Sequence, residues 1–177
     1  DTTYGTNGYI EWGHSTSSIP DQVTDFIVDS SDRGLVAVRQ DTTDIVVVRL
    51  TTSGTLDTNF NGSGYYTYDS GGNDRNGRIA EAPDGKIGIA FTQDSNLKAI
   101  RLTSVGTIDG SLPIVSIANN SNPTGVLYDG GRFVVAGSDI AAYQGCIWRL
   151  NESFEADTSF SADGKSCSTA GSSSNAI

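Results

Sequence analysis

The sequence predicts an all-β protein, a β-propeller-like array of about three four-stranded antiparallel blades plus a C-terminal extra strand. A short apolar strand ending in Arg-Leu recurs at intervals of 52 and then 48 residues, at Arg49, Arg101 and Arg149. Such a period is typical of stacked or radial repeats. The composition, with 17 Asp but four Glu, 21 Gly and no Met, favours short strands and tight turns. No segment has a sustained 3.6-residue apolar period, so we expect almost no helix.

Each unit begins with an aspartate turn that leads into a strand. The turns at Asp1, Asp57 and Asp157 share an aromatic residue three positions later and a glycine four positions after that. The third opening, at Asp109, has lost residues and its glycine, and Leu112 stands in the aromatic position. This divergence predicts that the third unit departs from the other two.

A second landmark lies in the middle of each unit, where a turn rich in Asp and Gly separates two apolar stretches, at 32–38, 83–90 and 129–136. Asp-Gly between apolar stretches is a strong hairpin signal, because the turn requires positive φ. Each unit therefore contains four predicted strands, which in the first unit lie near 9–12, 24–30, 35–39 and 45–50.

The whole chain, 1–177, is predicted to be one repeat domain, with units of about 1–56, 57–108 and 109–156, a partial fourth unit at 157–170 and a tail at 171–177. Closed propellers typically have four to eight blades, and an open array leaves unpaired strand edges that invite association. We therefore expect a homo-oligomer, with a trimer and a dimer both open.

The chain resembles the delta-60 repeats of large bacterial surface and secreted proteins over roughly residues 1–165. The match is best at 56–109, through Leu56-Asp57-Thr58-Asn59-Phe60, Pro83-Asp84-Gly85-Lys86-Ile87, and Arg101-Leu102 with Gly106-Thr107-Ile108-Asp109. The resemblance implies propeller-like β structure in a bacterial envelope or secreted setting.

The charge of the chain excludes two classes of partner. Its formal net charge is −10, whereas nucleic-acid binding needs clustered cations, and so does binding to an anionic membrane surface. No run of 18 apolar residues occurs, so we expect no insertion into a bilayer.

Two cysteines, Cys146 and Cys167, lie on strands that the repeat register makes neighbours. They are either two buried free thiols or a disulfide, and we favour the disulfide, with Cα atoms about 5.5–6 Å apart. A disulfide indicates an oxidising compartment. The expected location is extracellular or on a bacterial cell surface, with the periplasm also open.

Aromatic and polar side chains near the first strands are the candidate ligand-binding residues: Trp12, Tyr68, Tyr66 and His14. Aromatic faces stack on sugar rings, while core packing is the alternative role for these residues and for the remaining aromatic set, which includes Tyr128. The expected partner is a cell-surface glycan or a surface protein of another cell.

A weak calcium candidate is formed by Asp57, Asn59 and Asn61, whose alternating oxygens have the spacing of a calcium loop. Tyr68 stands where such a loop needs a bidentate Glu, and a family turn explains the pattern better. We otherwise expect no metal and no cofactor.

The three strand arginines are expected to form structural ion pairs with turn aspartates, for which Asp32, Asp84 and Asp129 are plausible partners. His14 is the only histidine, so a zinc site or a Ser-His-Asp triad is poorly supplied. The sequence thus favours a non-catalytic extracellular recognition or adhesion module. A structural spacer or oligomerisation unit is the alternative, and a polysaccharide hydrolase or lyase is less favoured.

Overall fold

The computed structural model describes residues 1–11, 21–41, 43–110 and 115–168, and among these the chain is all-β, without a helix. Twelve strands form three four-stranded antiparallel sheets. Sheet 1 contains β1 (Gln22–Val28), β2 (Gly34–Gln40), β3 (Asp44–Leu50) and β4 (Tyr65–Tyr68). Sheet 2 contains β5 (Asp74–Glu81), β6 (Ile87–Gln93), β7 (Asn96–Leu102) and β8 (Val115–Ala118). Sheet 3 contains β9 (Ser121–Asp129), β10 (Arg132–Asp139), β11 (Gln144–Leu150) and β12 (Lys165–Cys167). The predicted blade-like fold is confirmed.

The sheets are offset from the sequence units by one strand. Each sheet takes three strands from one unit and its fourth from the opening of the next, as β4 pairs with β3. The cause lies in the aspartate turn: the Asp57 N–H donates to the Arg49 carbonyl, and the Arg49 N–H donates to the Gly64 carbonyl. These bonds fold the opening back onto β3, so it extends that ladder. The expected C-terminal strand is β12, and it completes sheet 3 in the same way.

The grouping of the opening strand with its own unit was therefore wrong, and so was the strand expected near 9–12. In its described part, Tyr9 forms an isolated bridge to Thr6. By contrast, Tyr65–Tyr68 at the opening of the second unit pairs with β3 over four residues.

Sheet 2 lies in the middle of the stack, so its central strand β6 is buried on both faces. The core between sheets 1 and 2 is built from side chains of alternate positions, among them Leu35, Val47, Phe60, Ile79, Ile89, Phe91 and Ile100. The core between sheets 2 and 3 uses the opposite faces, with Ala82, Ala99, Phe133, Trp148, Leu150 and Phe154 among its members. Period-two alternation decides which core each side chain joins.

The described residues contain no helix long and apolar enough to cross a membrane.

Candidate functional site

The end of the stack where the Arg-Leu strands finish carries one aspartate per unit that is held by two cations. The turn carboxylates Asp57, Asp109 and Asp157 accept from the Nε of Arg49, Arg101 and Arg149 at 2.8, 2.7 and 2.8 Å respectively. A second cation from the mid-unit hairpin joins each pair; these are Arg33, Lys86 and Arg132.

The arginines thus form structural ion pairs with turn aspartates, but the expected partners Asp32, Asp84 and Asp129 were wrong for them. The partner stands eight residues after the arginine, because the opening turn folds back beside the strand end. At the third of these pairs, hydrogen bonds from Ser159 and the two guanidinium groups outweigh desolvation and lower the pKa of Asp157 to about 2. The cluster is a fixed, ionised framework for the loops at this end.

An aromatic ring lies against each strand arginine. The opening aromatic Phe60 lies 4.6 Å below the Arg49 guanidinium, and Phe160 lies 4.7 Å from that of Arg149. Space for the Phe60 ring exists because the turn after β7 of sheet 2 has Gly106 here, where a Cβ would lie 2.6 Å from the ring. Gly106 also has a φ of 80°, which glycine tolerates best.

Between sheets 2 and 3, the ring that contacts the strand arginine comes from the position that Gly106 holds between sheets 1 and 2. Phe154 stands at the position of Gly106 and keeps its left-handed backbone, with φ 63°. Its ring lies 5.4 Å from the Arg101 guanidinium and packs edge-on against Phe133. The opening of this unit has Leu112, outside the described residues, where Phe60 stands in its counterpart. The ring beside Arg101 is therefore supplied by the glycine position, Phe154, and the ring beside Arg49 by the opening turn, Phe60.

A cleft of about 400 Å³ lies at this end, where the β5–β6 turn of sheet 2 faces the β9–β10 turn of sheet 3. We call it the inter-sheet cleft. Its described lining residues are Ala82, Pro83, Asp84, Lys86, Arg101, Tyr128, Gly131, Phe133, Asn151 and Glu152.

The counterpart of this cleft between sheets 1 and 2 is bridged by hydrogen bonds. There Ser30 donates its N–H and its hydroxyl to the two carboxylate oxygens of Glu81, at 2.7 and 3.1 Å. In strand register, Pro83 replaces Ser30 and Tyr128 replaces Glu81. Proline has no N–H and no hydroxyl to donate, so this bridge cannot form. The inter-sheet cleft keeps an apolar Pro83 on one side and the Tyr128 ring on the other.

The polar groups of the inter-sheet cleft are fixed by ion pairs. Lys86 Nζ lies 3.1 Å from Asp84 and 3.7 Å from Asp109. Arg101 pairs with Asp109 and also donates through Nη1 to the Glu152 carbonyl at 2.7 Å. Desolvation opposes ionisation of Asp84, but the N–H and ammonium of Lys86 outweigh it and lower its pKa. Both cations of the described lining are therefore balanced by carboxylates.

The ring beside the cleft is held in place from behind. Tyr128 packs edge-on against Phe133, with ring centroids 5.0 Å apart, and Phe133 packs in turn on Phe154. A ring supported in this way offers its other side to a ligand without losing much side-chain entropy on binding.

Of the predicted ligand-binding residues that the structure describes, neither Tyr66 nor Tyr68 lines this cleft. Trp12 and His14 lie outside the described residues. Tyr68 is buried and packs on Phe91, with ring centroids 5.0 Å apart, while Tyr66 is half-buried against the core of sheets 1 and 2. Burial raises the pKa of both hydroxyls. Tyr68 thus has the core-packing role that was the alternative for the aromatic set.

The side chains of Asp57 and Asn61, two members of the calcium candidate, form hydrogen bonds and ion pairs with other protein groups. One oxygen of Asp57 accepts from the Asn59 N–H at 3.1 Å and the other is paired with Arg49 and Arg33. The Asn61 side chain donates to the Tyr65 carbonyl. Across the described residues, no group of three or more His, Cys, Asp or Glu side chains is arranged for a metal ion. We do not take the calcium hypothesis further.

Cys146 and Cys167 form a disulfide between β11 and β12. The neighbouring Ser168 N–H donates to the Gly145 carbonyl, so the cysteines occupy the adjacent, non-hydrogen-bonded position of the ladder. Opposed residues approach most closely at such positions, and the Cα atoms lie 4.0 Å apart, closer than the expected spacing. The bond fastens the three-residue strand β12 to its sheet.

No protein-family model matches the chain and no curated protein is significantly similar to it, so the resemblance to delta-60 repeats stays a prediction.

From the sequence, Tyr128 was predicted only as one of a wider aromatic set, and the cleft was not predicted. The sequence does contain a signal for the cleft, because Pro83 is aligned with Ser30 when the repeats are superposed. This substitution predicts an open cleft only once it is known that Ser30 of sheet 1 donates to Glu81 of sheet 2.

Proposed function

We propose that the protein is a non-catalytic recognition module that binds a glycan on a cell surface through the inter-sheet cleft. One observation carries the proposal. The cleft stays open beside the Tyr128 ring, at the junction where Pro83 replaces the serine that bridges the equivalent junction.

The chemistry of the lining supports an uncharged sugar. An aromatic face is complementary to the apolar C–H face of a pyranose ring. The carboxylate of Asp84, the amide of Asn151 and the carboxylate of Glu152 lie on the same lining, and such groups accept from or donate to sugar hydroxyls. Because Lys86 and Arg101 are already paired, an anionic ligand would have to displace an existing ion pair.

The size of the cleft supports a short segment of a glycan. Small-molecule sites usually enclose about 300–1,000 Å³, and the cleft, at about 400 Å³, is at the lower end of that range. A terminal mono- or disaccharide fits this volume better than a long polysaccharide chain does.

An extracellular or bacterial-surface location belongs to the same proposal. The Cys146–Cys167 disulfide is consistent with an oxidising compartment, and the resemblance to delta-60 repeats suggests a bacterial envelope or secreted setting.

The test is a glycan array followed by whole-cell binding, using the intact chain and the variant Tyr128→Ala. We expect a hit among neutral sugars and at least about tenfold weaker binding by the variant, since the stacked ring contact is lost. Tyr143→Ala is the matched control, because Tyr143 is an exposed tyrosine in the β10–β11 turn at the other end of sheet 3. An array without hits, together with no binding to whole cells, contradicts the proposal and favours a structural spacer.

A further inference from the structure

The turn that follows each Arg-Leu strand begins with a residue whose side chain caps the same N–H group. Thr51 and Thr103 hold this position after β3 and β7, and each hydroxyl accepts from the N–H four residues later at 3.2 Å. After β11 the position is held by Asn151, whose Oδ1 accepts from the Glu155 N–H at 3.0 Å. Because this bond holds the amide oxygen, the NH2 group, Nδ2, is the end of the amide that remains available to another partner.

Nδ2 of Asn151 donates to no group in the part of the chain that the structure describes. The corresponding hydroxyl of Thr103 is satisfied, because it also bonds the hydroxyl of Thr107 at 2.8 Å, and the turn after β3 has the same kind of pair. Glu155 stands at the position of Thr107, so the turn after β11 has lost the second hydroxyl. This turn therefore has an amide donor that its two repeat counterparts do not have.

The uncommitted amide belongs to the inter-sheet cleft. Asn151 is half-buried in the lining of this cleft, which is open because Pro83 and Tyr128 replace the residues that bridge sheets 1 and 2. Three departures from the repeat thus occur at one place: two of them open the cleft, and the third supplies it with a hydrogen-bond donor. A half-buried donor without a partner costs free energy, which a ligand with a matching acceptor recovers.

The lining of the cleft combines three kinds of contact. Asn151 Nδ2 is a neutral donor, the carboxylates of Asp84 and Glu152 are acceptors, and Pro83 and the Tyr128 ring are apolar. An acetamido group complements all three, because its carbonyl oxygen accepts a hydrogen bond, its N–H donates one and its methyl group is apolar. A sugar hydroxyl at the same carbon has neither the carbonyl nor the methyl group.

We propose that the sugar bound in the inter-sheet cleft is an N-acetylated amino sugar, and that Asn151 determines this specificity by donating from Nδ2 to the acetamido carbonyl. The inference rests on the proposed function, since it concerns the ligand of the same cleft. The sugar ring stacks on Tyr128, the acetamido N–H donates to a carboxylate of the lining, and the methyl group lies against the apolar surface that Pro83 provides.

The test compares sugars that differ only at the acetamido position, using the intact chain and saturation-transfer difference NMR titrations. N-acetylglucosamine, N-acetylgalactosamine and N-acetylmannosamine are each measured against the parent hexose, which has a hydroxyl group in place of the acetamido group. We expect at least one of the three to bind about tenfold more tightly than its parent hexose, since a hydrogen bond and a methyl contact are added. Its acetyl methyl protons should receive strong saturation from the protein.

Two variants remove the amide donor and keep the cap of the turn. Asn151→Thr introduces the residue type of the other two turns, and Asn151→Asp keeps the shape and the oxygen that accepts from the Glu155 N–H. Each should reduce the ratio of affinities between the N-acetylated sugar and its parent hexose to about twofold or less. Thr103→Asn is the matched control, because it changes the same position in the turn after β7 and should leave the ratio unchanged. Far-UV circular dichroism checks the folding of all three.

Binding of the parent hexoses as tightly as the N-acetylated sugars overturns this inference and leaves the proposed function standing. A preference that survives both Asn151 variants overturns it too, as does tighter binding of glucosamine than of N-acetylglucosamine, because the carboxylates would then select the ligand by its positive charge. Absence of binding by every sugar of the panel overturns the inference, and only together with a glycan array without hits does it also contradict the proposed function.

Discussion

Replacing Phe60 with alanine should lower the free energy of unfolding by about 3–5 kcal/mol. The Phe60 ring is fully buried, lies 4.6 Å from the Arg49 guanidinium and fills the space that Gly106 leaves open. Burial of a phenylalanine removes about 150–200 Å² of apolar surface from water, which at about 25 cal/mol per Å² gives a similar figure. Because the ring is enclosed between sheets 1 and 2, its loss leaves a cavity that the backbone cannot easily fill.

Phe160→Ala is the matched control, since Phe160 holds the same motif position and lies 4.7 Å from Arg149. Phe160 is 37% exposed, whereas Phe60 is fully buried. Water can fill the space left by this ring, so we expect a cost of about 1–2 kcal/mol. The cost of the same substitution should therefore differ by about 1–4 kcal/mol between the two repeats.

Urea denaturation followed by far-UV circular dichroism measures both variants, with an unchanged dependence on urea as the check that the same structure unfolds. In thermal unfolding, the Phe60→Ala midpoint should fall by roughly 6–20 °C. Equal losses of stability for the two variants would refute the reasoning, because burial of the ring against the neighbouring sheet would then not decide its contribution.

Three further predictions concern charge and cross-linking. Replacing Cys146 and Cys167 with alanine should cost about 3 kcal/mol in the chain-entropy model for their sequence separation of 21 residues, measured by urea denaturation against the oxidised chain; an unchanged midpoint contradicts this. Asp74→Asn should stabilise the protein at pH 7 by about 1 kcal/mol, because Asp74 is buried, no donor among the described residues reaches its Oδ1, and burial raises its pKa. A raised pKa costs stability as pH rises past about 4, so the advantage should shrink towards pH 4, and a pH-independent difference contradicts it. Asp57 behaves in the opposite way: desolvation opposes its ionisation, but the Asn59 N–H and Arg49 lower its pKa. Its contribution is present at neutral pH and lost as the pH falls below about 4, so the stability of Asp57→Asn should converge on that of the unmodified chain in acid.

The repeat pattern allowed the strand types, the number of sheets and the cysteine pair to be predicted. Arg49 and Arg101 each close a strand that buries apolar side chains on both faces, whereas the strand that Arg149 closes buries one face and leaves Ile147 exposed. Cys146 and Cys167 were placed on adjacent strands by the same register. These features depend on backbone periodicity and on contacts that recur in every unit.

The contacts made by the folded-back opening turn were not predicted. Each strand arginine pairs with the aspartate eight residues downstream and not with the hairpin aspartate. In the first unit the folded-back turn places Asp57, and not Asp32, beside Arg49. Tyr68 looked like a surface aromatic in the sequence, but it packs against Phe91 because β4 belongs to the sheet of the preceding unit.

The sequence alone determined an all-β repeat with one arginine-ended strand per unit, because local alternation and turn chemistry act over a few residues at a time. The tertiary structure decided how the repeats join and what remains open between them. Glu81 reaches Ser30 across 51 residues of chain, and Pro83 opens the next junction only because Tyr128, from a third sheet, stands opposite it. Such pairings arise from the stacking of the sheets, and no local property of either residue encodes them.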